Sequence, residues 1–331
     1  IRAVLEGDVD ESVRAEAAHR LARLHLQKNQ PHDALIVLES VVQPPPDSLR
    51  DDLLFLRANV LSALGRAAEA ADVLESLQRS RELHGFSAHN LGIALLESQD
   101  VEGAVVQLDR AGRIKAQNRE AHAIRDKSNL VLGSLLFDAG DFERALNSLD
   151  RVRLEGPYSN QALLRAGWSA VSSDQFDRAI VPWSLLAERD TTDSAVQEAQ
   201  LALPFAYSKL EVHSRAAVLY ERAAQVFGGE LEKLDASLES IEDGRFLAAL
   251  KREEIRQNKD WGIRLRSLPG APETFYLVSL IASDDFQTAL QNYLDLTDIR
   301  RKLLHWQQSL QSIDDMVAFR RGHFEPRLPQ V

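Results

Sequence analysis

The sequence predicts an all-α protein built as an array of antiparallel helix pairs. Three observations carry this. A small residue in an apolar helix, a turn, and an alanine twelve residues later recur along the chain. Glycine (16 of 331 residues) and aromatics (6%) are too scarce for a many-turned β architecture. The recurrence has the period of a two-helix repeat unit.

The copies follow in order. Leu21-Ala22 leads through Lys28-Asn29-Gln30-Pro31 to Ala34, and Ala58 through Gly65-Arg66 to Ala70. Leu91-Gly92 leads through Ser98-Gln99-Asp100 to Ala104, and Leu132-Gly133 through Ala139-Gly140-Asp141-Phe142 to Ala145. Ala166-Gly167 leads through Ser173-Asp174-Gln175-Phe176 to Ala179. The sixth copy keeps Ala216 but has Pro204 at the small site, and a weak seventh has Leu277, Asp284-Asp285-Phe286 and Ala289. Two helices joined by a short turn must approach closely, and the small residues permit it. Larger residues four and seven positions past each alanine, such as Leu108, Leu149 and Val152, are expected to fill the gap to the next repeat. No pair can bury its apolar face alone, so the pairs must stack.

These residues, above all Gly133…Ala139-Gly140-Asp141-Phe142-Glu143-Arg144-Ala145-Leu146 with Pro157 closing the unit, resemble the tetratricopeptide repeat (TPR) family from about Val13 to Phe227. The resemblance implies a right-handed superhelical solenoid of about six helix pairs. Its first helices would line a concave groove that binds peptides or proteins. The chain departs from the family in three respects. The aromatic expected three residues before each Leu-small pair is replaced by Ala18, Leu54, Ala88, Asn129, Leu163 and Gln200. About seven extra residues fall near Arg113 to Arg125, to extend a helix or bulge as a loop, and Pro182 and Pro204 lie inside helices, where each kinks its helix locally.

Two domains are expected: an array over 1–227, and a divergent α-helical cap over 228–331 with one degenerate TPR-like pair. In the cap, Leu231, Leu234, Leu238, Ile241, Phe246, Leu247, Leu250 and Ile255 form one long amphipathic pattern interrupted near Gly244. A turn-rich stretch with Pro269, Gly270 and Pro272 follows Trp261. A last helix is expected from about Thr297 to Phe319, carrying Leu303, Leu304, Trp306, Leu310, Ile313 and Val317.

Composition excludes much chemistry. With no cysteine there is no disulfide, thiol nucleophile or cysteine-based metal site. A net charge of −11 gives no overall attraction to nucleic acid, and no apolar run is long enough to span a membrane. No phosphate loop, nucleophile elbow or HExxH motif occurs. The histidines are scattered, the carboxylate pairs Asp284-Asp285 and Asp314-Asp315 are adjacent by sequence only, and the basic clusters Arg300-Arg301-Lys302 and Arg320-Arg321 read as solvated helix surface. The chain is therefore expected to have no enzymatic activity, no metal and no cofactor.

Helical geometry maps the groove. On each first helix, residues one and four past the small site and two or three before it should face the concavity. The binding candidates are Arg23, Asn59, Asn90, Ile93, Ser134, Arg165, Trp168 and Phe205, with His19, Arg20, Phe55, Leu56, His89, Leu130, Val131, Leu164, Leu201 and Ala202 on the same map. Trp168 and Phe205 hold equivalent places in neighbouring repeats and are the aromatic anchors. In TPR modules that clamp a terminal carboxylate, the groove holds Lys, Asn, Asn, Lys and Arg. Asn59, Asn90 and Lys127 match three of these, while Phe55 and Val131 replace the others, so a carboxylate clamp is not expected.

The function read from this is a non-enzymatic scaffold for a protein or peptide partner. The alternative is an architectural component that oligomerises or braces a larger assembly, its groove filled by its own C-terminal helices. The long divergent helices after the array look similar to those of accessory proteins in bacterial envelope machines. That resemblance implies a multiprotein envelope complex and a periplasmic or cell-envelope location, with the cytoplasm as alternative. The chain starts at Ile1 rather than Met and ends at Val331, which reads as a segment of a longer protein.

Overall fold

A computed structural model describes residues 9–41, 44–77, 83–248, 273–281 and 283–324. Among them every regular element is a helix. Two compact units divide the chain, Ile1–Phe227 and Gly228–Val331.

The first unit is six helix pairs: α1 (Glu11–Gln27) and α2 (Pro31–Glu39), α3 (Asp47–Ala63) and α4 (Ala67–Ser76), α5 (His84–Glu97) and α6 (Val101–Gly112), α7 (Arg119–Asp138) and α8 (Phe142–Leu149), α9 (Ser159–Ser172) and α10 (Phe176–Ala187), and α11 (Ser194–Lys209) with the start of α12 (His213–Glu242). Local chemistry sets the starts. The side chains of Asp10, Asp100, Asn118, Asp141 and Asp193 accept hydrogen bonds from free N–H groups in the first turns of α1, α6, α7, α8 and α11. Pro31 opens α2, where its missing N–H costs nothing. Each pair turns through one residue in the left-handed region: Asn29, Gly65, Gln99, Gly140, Asp174 and Glu211.

The alanines of the second helices are the seams of the core. Ala34, Ala70, Ala104, Ala145, Ala179 and Ala216 are all buried. The side chain four residues past the alanine meets the small site of its own repeat. A Cβ added to Gly92 would lie 2.8 Å from Leu108 Cγ, one on Gly133 2.5 Å from Leu149 Cγ, and one on Gly167 2.1 Å from Trp183 Nε1. These large residues close their own pair and, as expected, also reach the next one: Leu108 clusters with Leu132 and Leu136, and Leu149 and Val152 share a cluster with Ala162 and Ala166. Trp183, fully buried, also donates its N–H to the Leu164 carbonyl at 3.2 Å.

The first helices also touch one another in succession, α1 to α3, α3 to α5, α5 to α7, α7 to α9 and α9 to α11, and form one continuous wall. The seven extra residues supply both a loop, 113–118, and a longer helix: α7 has 20 residues where α5 and α9 have 14. The extension carries a buried polar cluster. Asp126 accepts from Arg153 Nε at 2.6 Å, and Asn129 Nδ2 donates to the Gly112 carbonyl at 2.9 Å. Pro182 and Pro204 lie inside α10 and α11.

The second unit contains the end of α12, residues 245–248 of a further helical turn, α13 (Glu273–Ile281) and α14 (Asp284–Phe324). Phe246, Leu277, Ile281 and Phe286 cluster, and Tyr276 donates its hydroxyl hydrogen to Glu230 at 2.8 Å. Two sequence expectations are corrected here. The weak seventh pair does not keep the repeat register, since Ala289 is exposed and Leu290 is buried in its place. The last helix does not start near Thr297: α14 runs 41 residues from Asp284, because neither glycine nor proline interrupts 284–321. α12 likewise passes through Gly228 and Gly229 unbroken and stops before Gly244, whose φ is +69°. Leu250, Ile255, Trp261, Pro269, Gly270 and Pro272 lie outside the described residues.

Candidate peptide-binding groove

The wall of first helices presents one residue of each repeat at the same height, one past the small site. These are Arg23, Asn59, Ile93, Ser134, Trp168 and Phe205, and none is buried. Two further candidates, Asn90 and Arg165, sit one turn earlier and are half-buried. The rest of the map holds less well. Leu56, His89 and Ala202 are each at most 7% exposed, because the first helices contact each other along that edge. His89 is the instructive case. The lengthened α7 brings Ser128 beside it, with Nδ1 and the hydroxyl 2.9 Å apart. The Ser128 hydroxyl itself donates to the Ile124 carbonyl at 2.7 Å, so Nδ1 is the donor nitrogen of a neutral ring. Burial, helped by the charge of Lys127, pushes the His89 pKa down to about 4.

The N-terminal part of the wall is polar. Asn90 Nδ2 donates to Asn59 Oδ1 at 2.7 Å across α3 and α5. That bond leaves the Asn59 N–H groups and the Asn90 carbonyl oxygen outside it, one donor group and one acceptor at adjacent repeats. Ile93 packs beside Leu108, Leu132 and Leu136. Arg23 is exposed, and its charge helps hold the His19 pKa below its ordinary value, though the larger cause is burial of that ring.

Further along, α7, α9 and α11 enclose a cavity of about 470 Å³. Its floor is Leu130, Val131, Leu164 and Ala195; its polar lining is Ser134, Gln161, Arg165, Ser194 and Glu198. Arg165 lies 3.8 Å from Asp138 and 6.0 Å from the Phe137 ring. Ser134 donates to the Leu130 carbonyl at 2.9 Å within its own helix. Trp168 borders this region half-buried. Its N–H donates to Glu198 at 2.6 Å, and its ring meets Trp183 edge-on at 5.0 Å. Phe205 meets Phe176 edge-on at 6.3 Å, with Lys209 5.5 Å from its ring. Both aromatics are thus part of the packing between helices as well as of the wall.

Gln161 and Glu198 were not on the sequence map. Each lies six residues before its repeat's small site, one helical turn ahead of Arg165 and Ala202 respectively. The spacing −6, −2, +1 is a single face of an α-helix, so extending the map by one turn finds them.

A second cavity, about 430 Å³, lies among α8, α9 and α10, with Val181, Pro182 and Leu185 on one side and Asp150 and Arg178 at its edge. Burial raises the Asp150 pKa, and the Arg178 charge opposes that rise. Among the described residues, no group of three or more His, Cys, Asp or Glu side chains could hold a metal ion, and no helix is long and apolar enough to cross a membrane.

Residues 130–202 match the tetratricopeptide repeat family. The chain is similar to the solved structure of MamA from MSR-1, at 19% identity over 55% of this chain and 99% of that one, with a TM-score of 0.41. MamA from AMB-1 gives 20% identity over 55% and 94%, with a TM-score of 0.43. YrrB, described as a TPR protein with an unusual peptide-binding site, gives 16% identity over 54% and 88%, with a TM-score of 0.42. No curated protein matches the sequence. The matched segment contains every residue that lines the 470 Å³ cavity, so the likeness to tetratricopeptide repeats falls on the part of the array that forms it.

Proposed function

We propose that this chain is a non-enzymatic scaffold whose first-helix wall holds an extended segment of a protein partner. The observation that carries the reading is the cavity across α7, α9 and α11: an apolar floor flanked by Arg165 and Glu198, open along the face that Asn59 and Asn90 continue. An apolar side chain would seat on Leu130, Val131 and Leu164, and backbone groups would meet Arg165, Gln161 and Glu198. Large buried anchors with a few polar partners are the usual source of affinity in such sites. The net charge of −11 favours a protein partner over nucleic acid. We extend the proposal to a multiprotein assembly in a bacterial cell envelope; the lack of cysteine supports it, since an oxidising compartment penalises unpaired thiols.

Site-specific photo-crosslinking in the source cells tests the groove. A crosslinking amino acid at Ser134 should capture a discrete protein partner, and one at Val181, beside the second cavity, should not. Capture at Val181 alone, or equally at both positions, would overturn the assignment.

A further inference from the structure

The longest helix of the chain leaves an apolar seam uncovered. Along α14, Leu296, Ile299, Leu303, Trp306, Leu310, Ile313 and Val317 follow one another at alternating steps of three and four residues. That is the a/d spacing of a heptad, with Leu296, Leu303, Leu310 and Val317 at a and Ile299, Trp306 and Ile313 at d. All seven are exposed, from 43% at Val317 to 66% at Leu296. Together they offer on the order of 700 Å² of apolar surface per chain, close to the roughly 800 Å² per partner of a standard interface and above what a monomer ordinarily leaves bare.

We infer that α14 assembles with copies of this chain, seam against seam, as a parallel coiled coil. The inference stands on α14 alone and goes beyond the groove reading. Flanking charges favour a second copy as occupant. In a parallel arrangement each g residue faces the next e residue of its neighbour. Asp295 then meets Arg300, an opposite-charge pair made in each direction. The remaining pairs are Lys302 with Gln307, Ser309 with Asp314 and Met316 with Arg321, so no like charges face each other. Asp298, at c and so outside the seam and its flanks, is already occupied by Arg301 and by Lys302 at 2.7 Å. Leucine at a with isoleucine at d shifts parallel coils from two strands toward more, so three or four copies are expected.

Light scattering on the full chain tests this at about 100 µM. The parent should have the mass of three or four 37.0 kDa chains. Leu303→Glu with Leu310→Glu should give a single chain with an unchanged helical spectrum, because both sites are exposed. A parent mass of 37.0 kDa, or a double variant that keeps the parent's mass, would overturn self-association through this seam. Orientation has its own readout. The chain has no cysteine, so oxidised Leu303→Cys should link copies by a disulfide when a faces a. Absence of that link in an intact oligomer would overturn the parallel register.

Discussion

Six residues stand at the same corner of six successive turns, and four of them are not glycine. Asn29, Gln99, Asp174 and Glu211 take φ values of 55°, 67°, 57° and 60°, where an L side chain crowds its own carbonyl. Gly65 and Gly140 hold the same corner without that crowding. Glu211 is exposed, so replacing it should relieve strain and lose little else. Glu211→Gly is expected to stabilise the fold by about 0.5–1 kcal/mol, after the added entropy of the unfolded glycine is counted. A lowered melting temperature would contradict it. His89 supplies a pH dependence. Its folded pKa is about 4, against roughly 6.5 when unfolded. Between those values the unfolded chain binds a proton that the folded chain refuses. The stability tied to this group is complete above about pH 6.5 and is lost as pH falls toward and through 4, roughly 2 kcal/mol between pH 7 and pH 5. Urea titrations of the parent and of His89→Gln at the two pH values check this. The variant should lose less stability on acidification; equal losses would show that His89 is not the cause.

At the scale of elements, the helix pair is the unit that the sequence makes legible, and the reason is steric. A glycine facing a large side chain sixteen residues later leaves a pattern that survives in one sequence: Gly92 with Leu108, Gly133 with Leu149, Gly167 with Trp183. Gly167→Ala should therefore destabilise the first unit by about 1–3 kcal/mol, since the methyl would overlap the buried Trp183 ring. A melt indistinguishable from the parent would contradict this register. What escaped the reading is equally physical. The seven extra residues before Gly133 kept the period ambiguous, and only the structure shows α7 lengthened enough to bury Asp126, Ser128 and His89. The turn signal at Asp284 and the apolar run after Thr297 read as separate elements, yet nothing between them breaks a helix. Of the candidate site, the column one past the small residue follows from helical phase, and its six members are all accessible. Gln161 and Glu198 were missed because the map stopped three residues before the small site, one turn short of them. Leu56, His89 and Ala202 were misplaced because helix-to-helix contact, and not helical phase alone, decides what an edge residue meets.

At the scale of the molecule, one design serves packing and, in the function proposed above, binding. Second helices give their small residues to the core, and first helices, stacked in succession, leave one accessible face that changes character along the array. It runs from Arg23 through the Asn59–Asn90 bond to the cavity between Arg165 and Glu198. On the proposed function, this face and no other takes a partner's polypeptide. The most direct test selects peptides from a displayed library on the full chain and measures their affinity by calorimetry for the parent and two variants. Arg165→Glu reverses the one cation of the cavity lining, whereas Val181→Glu puts the same charge beside the second cavity. Peptides that bind the groove should bind Arg165→Glu at least about tenfold more weakly, a loss of about 1.4 kcal/mol, and Val181→Glu as tightly as the parent. Equal affinity for the parent and Arg165→Glu, or weakening by Val181→Glu alone, would contradict the claim.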